Sequence, residues 1–184
     1  MVTIEKFKTI WPYAGIPIIG ATLFLLQSRQ TDAFAILWWE LIMAFGYVAA
    51  VSDIKSKRIP NSLVLAMFGA WVITMAPKLI MDIDTAIALL KDSAWGFVIG
   101  GGLFLLMYII SRKGVGGGDV KFMAAAGLYL GLAGILPAML IGTVLAALTG
   151  LFLIIFKKIS RKDSIPLVPF LYLGILVVCF AAQC

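Results

Sequence analysis

Residues 95–122 read "WGFVIGGGLFLLMYIISRKGVGGGDVKF", and the order of its parts decides what kind of molecule this is. Nothing is charged between Ser93 and Ser111, a run of roughly twenty residues, which as an α-helix is long enough to cross the ~30 Å hydrocarbon core of a bilayer. Arg112 and Lys113 end the run, and Asp119 stands directly after three consecutive glycines. A carboxylate at the edge of an apolar span is costly, so its position calls for a reason.

The same alternation of long apolar runs and short charged stretches continues in both directions. The chain has 184 residues, 62% of them hydrophobic and 13% charged, and its mean hydropathy is +1.08. That composition lies far outside ordinary soluble domains. It predicts an all-α, polytopic membrane helix bundle. Spans are expected at 10–27, 33–51, 61–81, 93–111, 121–136, 137–156 and 165–182, seven helices in all. Six is the alternative, because nothing charged separates the two runs that meet at Pro137, and a single broken or re-entrant segment fits there as well. Residues 1–32 form an N-terminal helix and loop ahead of a membrane domain at 33–184.

Charge gives the orientation. With a cytoplasmic N-terminus, the inside segments hold Lys6, Lys8, Lys55, Lys57, Arg58, Arg112, Lys113, Lys121, Lys157, Lys158, Arg161 and Lys162, which is 12 of the 15 basic residues. Arg29, Lys78 and Lys91 remain outside, beside Asp32, Asp82, Asp84 and Asp92. Seven alternating spans therefore obey the positive-inside rule. The sequence pI of about 9.4 follows from loops facing an anionic leaflet. Nucleic acid is not expected as a partner, since no soluble stretch interleaves basic and aromatic residues. Lys6 and Lys8 ahead of an apolar run resemble a secretory signal, yet the run is long and Trp11 and Pro12 suit an interface, so it reads as a retained span. Cys179 and Cys184 lack zinc-type spacing and the chain has no histidine, so no metal site is expected. Gly96 with Gly100, and Gly127 with Gly131, have the small-xxx-small spacing of close helix packing.

Without histidine, a usable cysteine pair or a nucleophile elbow, chemistry falls to the carboxylates. Four of the nine acids sit in outer-side loops, Glu5 in the N-terminal tail and Asp163 in the last basic loop. Glu40 lies within a span beside Trp38 and Trp39, which suggest that the outer interface is near. Asp53 ends the second span in "AAVSDIKSKRIPNSL" (49–63), where Lys55, Lys57 and Arg58 mark the cytoplasmic surface. Asp119 opens the fifth span on that same side, so the topology permits a dyad. Gly116, Gly117 and Gly118 allow positive φ and close approach of another backbone. Capping the following helix is the structural alternative for Asp119. Asn61 is expected to cap its own helix or touch substrate, and Lys121 to face solvent or bias the charge of Asp119. A P-loop is ruled out, because Asp119 intrudes and Phe122 follows Lys121.

These residues carry a family resemblance. "GGGDVKF" (116–122) resembles the GxGD signature of aspartic membrane peptidases. "DIKSKRIPN" (53–61) is similar to the Asp-to-Ile-Pro-Asn segment of prepilin peptidases, the type IV leader peptidase family, and "IPLVPFLYLG" (165–174) to their last-helix pattern. The resemblance covers about 33–182. Presenilin-type enzymes share GxGD but pair it with Tyr-Asp, whereas Ser52 precedes Asp53 here.

The resemblance implies that 33–184 is a six-helix peptidase core, with residues 1–32 as an extra helix. It also implies that Asp53 and Asp119 are the catalytic aspartates of an endopeptidase in the cytoplasmic (inner) membrane. The substrates would be type IV pilin-like precursors, whose hydrophobic helix stays in the bilayer while a short basic leader lies in the cytoplasm and is cut off at the boundary. Two carboxylates sharing a site would hold one proton between them near neutrality. No cofactor is implied, anionic lipids are possible contacts, and the oligomeric state is left open. Larger members carry a cytoplasmic domain with paired cysteines and also methylate the new N-terminus; this chain's short loops and lack of CxxC fit the peptidase-only versions. The competing readings are a proton- or ion-coupled transporter and a non-catalytic subunit of a secretion system. A transporter would prefer its acids near the bilayer midplane.

Overall fold

The computed structural model describes residues 33–111, 115–157 and 165–181. They form five helices: α1 (Ala33–Ser56), α2 (Asn61–Met81), α3 (Ile83–Ser111), α4 (Gly117–Ile155) and α5 (Val168–Ala181). Among the described residues there is no strand. Four helices, α1 to α4, are long and apolar enough to cross a membrane. Large apolar side chains face outward, with Leu65 and Ile73 each 72% exposed and Ile110 71%. A soluble monomer does not carry such a surface, and the chain is a multi-pass membrane protein. The expected count of seven helices is not supported. Its first span, 10–27, lies outside the described residues together with Lys6 and Lys8, and the fifth and sixth follow one another without a loop in α4, as two helical segments joined at a sharp kink.

Helix ends depart from the hydropathy reading for local reasons. α1 runs past Val51 to Ser56, because its last turn closes on itself: the Lys57 amide donates to the Asp53 carbonyl at 2.8 Å, with Lys57 in the left-handed region at φ 51°. The Ser52 hydroxyl then donates to the Arg58 carbonyl at 2.8 Å. Pro60, extended at φ −62° and ψ 136°, stands at the N-cap of α2. α3 begins at Ile83 and not at Ser93. The Asp82 carboxylate accepts the Thr85 amide at 3.1 Å, an N-cap that converts the expected outer loop into helix. Those hydrogen bonds from Thr85 hold the Asp82 carboxyl below the usual carboxylate range.

The pairing of α3 with α4 rests on the glycines the sequence singled out. A side chain on Gly96 would collide with the Gly127 carbonyl, and a Cβ on Gly100 would sit 2.6 Å from the Met123 carbonyl oxygen. With Ser93 donating to the Leu128 carbonyl at 2.7 Å, these contacts run antiparallel along residues 117–130. The Gly100 position also lies 3.1 Å from Ile135. Met123 and Ile135 would be ~18 Å apart on a straight helix, so α4 doubles back sharply between them.

The break is at Gly131 (φ 63°, ψ −173°), and not at the expected boundary of Leu136 and Pro137. Only glycine enters that backbone region cheaply. The turn is further fixed by Asp92, whose carboxylate accepts the Leu132 amide at 3.0 Å, the first orphan donor of the returning segment. Asp92 is therefore not a loop acid. Pro137 lies within the returning helix.

Trp38 is a core residue. Its indole N–H donates to Thr74 Oγ1 at 2.9 Å, and its ring lies 6.4 Å from Trp71 and 6.3 Å from Tyr129. The Tyr129 hydroxyl donates to the Met67 carbonyl, tying α4 to α2. α5 closes the bundle where Gly174 meets the Ala138 carbonyl and Gly142 meets Leu171. Glu40 is partly buried, within electrostatic range of Tyr172 and Cys179. Cys179 is buried, and Cys184 lies outside the described residues.

Candidate active site

Where α1 ends and where α2, α4 and α5 begin, the chain leaves a cavity of about 400 Å³. Asp53, Asn61, Gly116, Gly117, Gly118, Asp119 and Lys121 all line it. The last turns of α1 carry Asp53 to this cavity, and the glycine start of α4 carries Asp119.

Asp53 is 6% exposed and Asp119 8%, yet each carboxylate has partners. Asp53 Oδ2 accepts the Val168 amide at 3.1 Å, and the neighbouring Leu167 backbone favours the charged carboxylate as well. These are donors at the start of α5, which have no partner inside their own helix. A carboxylate there gains from both the hydrogen bonds and the positive end of the helix. Asp119 Oδ2 accepts the Gly116 amide at 3.0 Å. Asp119 thus stands at the third position of α4 and reaches back to its N-cap, half of a capping box. The capping role foreseen for this acid is present, from inside the helix. The charge of Asp53 is close enough to act on Asp119, and Lys57 and Arg58 border the same cavity.

The glycines differ from expectation. None of Gly116, Gly117 and Gly118 has positive φ: Gly116 is extended at φ −80°, and the other two are the first turn of α4. Their common property is the absence of side chains beside the cavity. A Cβ at Gly117 would meet nothing within 4 Å, whereas one at Gly118 would lie 3.3 Å from Ile59. Gly118 therefore lets the α1–α2 turn approach, and Gly117 leaves the cavity open.

Asn61 does not cap α2. Its Oδ1 accepts from Lys121 Nζ at 3.0 Å, a link between the starts of α2 and α4 that joins two residues foreseen separately. The Val168 amide was missed, because a backbone donor carries no sequence signal of its own. The nearest clue is "IPLVPFLYLG", whose first residues Ile165, Pro166 and Leu167 form a cavity wall. Geometrically the cavity offers two carboxylates, a helix N-terminus and an unobstructed floor, which together suit acid–base chemistry on a bound polar group.

Comparison with known proteins falls on the same region. The sequence model of the type IV leader peptidase family matches residues 40–151, which include both aspartates. A prepilin leader peptidase/N-methyltransferase of Xanthomonas campestris is 31% identical over 169 residues, covering 89% of this chain and 58% of the relative. Proteins of the same description from Bacillus subtilis (30% over 128 residues, 69% and 48% covered) and Stutzerimonas stutzeri (27% over 164, 84% and 54%) are also similar. The chain spans about half the length of these curated relatives. No solved structure matches it. With more than half of its residues inside the family match, the chain belongs to the type IV leader peptidase family.

Proposed function

We propose that this protein is a prepilin peptidase, an integral-membrane aspartic endopeptidase that removes the short basic leader of type IV pilin-like precursors. The observation that carries the reading is the placement of Asp53 and Asp119, from helices far apart in sequence, on one cavity with separate hydrogen-bond anchors. Two buried carboxylates on one cavity, each within electrostatic reach of the other, share a proton at low cost. The ionised member takes a proton from water, whose oxygen attacks the scissile carbonyl carbon. The protonated member donates to the carbonyl oxygen. Collapse then breaks the C–N bond and returns a proton to the leaving amine. The amide-rich start of α4 lies beside the reacting group and favours the developing negative charge.

The finer topology belongs to the same proposal. The 33–184 unit is the peptidase core, and the N-terminus and the cavity face the cytoplasm from the inner membrane. That orientation is supported by the basic residues flanking the cavity, Lys57, Arg58 and Lys121, and by the positive-inside rule. Anionic lipids are the expected neighbours of these cations. A transporter would use acids near the bilayer midplane, and Asp53 and Asp119 lie at helix ends instead. The test is incubation of the purified full chain with a pilin-like precursor, the new N-terminus being read by mass spectrometry. A single cut at the leader boundary is expected, and an intact precursor under conditions where the protein stays folded refutes the reading.

A further inference from the structure

A second cavity, of about 410 Å³, opens beside the first and shares two of its residues, Ile165 and Pro166. Its character is the opposite. α1 contributes one helical face, Tyr47, Ala50 and Ile54, and α5 contributes another, Pro169, Leu173 and Leu176. Thr149 and Leu153 of α4 close the third side. From Tyr47 to Ile54 the groove follows α1 for ~10 Å, two turns of helix. It begins one residue from Asp53, at Ile54, and leads away from the acids along the bundle. Two of its wall residues, Ile54 at 39% and Leu173 at 46%, are exposed on its outer rim.

We infer that this groove seats the first turns of the precursor's apolar helix, while the leader and scissile bond lie in the acidic cavity. The inference rests on the proposed function and adds where the membrane-embedded part of the substrate is held. Continuity selects this occupant. A chain leaving the acid pair past Ile165 and Pro166 enters the apolar groove directly, and a precursor cut at the edge of its own apolar helix has that change of polarity at the same place. Burial of apolar side chains in a preformed trough adds packing, the term that drives helix association in lipid. The groove then acts in selection, fixing how far the scissile bond stands from the helix start.

The test uses the full chain and two substrates: an intact pilin-like precursor, and a peptide spanning leader and cleavage site but lacking the apolar helix. Leu173→Trp narrows the groove, and Leu148→Trp, at an exposed α4 position outside it, is the control. Leu173→Trp is expected to lower kcat/KM for the precursor roughly tenfold more than for the peptide, mainly through KM, while Leu148→Trp leaves the ratio as in wild type. An unchanged ratio for Leu173→Trp, with wild-type cleavage intact, overturns the groove and leaves the peptidase reading standing. If wild type cleaves neither substrate, both fall. A photoreactive phenylalanine analogue at position 173 identifies the occupant independently. Adducts on the precursor's apolar helix support the inference; adducts only on lipid, on residues 1–32 of this chain or on a second copy overturn it.

Discussion

Replacing Gly131 by Ala tests the turn that builds the bundle, and the size of the effect can be worked from two separate costs. At φ 63° and ψ −173° a residue with a Cβ sits in a region open essentially to glycine, a strain of ~1–3 kcal/mol. The added Cβ also overlaps the Asp92 carboxylate. The carboxylate must withdraw, and its bond to the Leu132 amide is lost with it, an N-cap worth ~1 kcal/mol. The sum is ~2–4 kcal/mol, a large share of the ~5–15 kcal/mol of a typical domain. Reversible unfolding in mixed micelles, followed by helicity, reads it. Asp92→Ala alone should cost only the cap, and the double variant should be little worse than Gly131→Ala, since the first change has already displaced the carboxylate. A Gly131→Ala protein within ~0.5 kcal/mol of wild type, or a double variant whose costs add in full, would refute the reasoning.

Further expectations follow from the cavity. Gly117→Val should leave the helical spectrum unchanged, because nothing lies within 4 Å of the new side chain, yet slow precursor turnover roughly tenfold by filling the floor; full turnover would deny that open floor a role. Asn61→Leu removes the acceptor of Lys121, a bond of ~0.5–1.5 kcal/mol, so Tm should fall slightly. Lys121→Met on that background should then add little, and independent losses in the two variants would show that they are not one link.

The membrane class was legible because charge is so unevenly distributed: a run such as 93–111 admits no other reading. Asp53 and Asp119 could be placed on one side from the loop charges alone, and the structure sets both on the cavity. What hydropathy could not supply was the reversal in α4. Gly131 has no polar neighbour in sequence, and the group that fixes the turn, Asp92, is 40 residues before the Leu132 amide it accepts. Pro137 drew the boundary to itself because proline breaks helices by local rule, but only a residue tolerating positive φ could make this turn. Asp92 was read as a loop acid for the opposite reason, since a charge looks solvated until its acceptor role is seen. The Asn61–Lys121 link joins positions 60 residues apart, and no pattern within either segment announces it. The glycines before Asp119 were recognised as significant, and one of the two reasons held: Gly118 lets the Ile59 backbone approach, whereas none of the three adopts positive φ.

The central claim is that Asp53 and Asp119 act as one catalytic unit, and a mutant cycle measures it most directly. Precursor cleavage is timed for wild type, Asp53→Asn, Asp119→Asn and the double variant, with folding checked by helicity. The account predicts that each single change lowers the rate by on the order of a thousandfold and that the double variant is no slower than the worse single one, as groups sharing a step do. Full-rate cleavage by either single variant, or losses that multiply in the double, would contradict it.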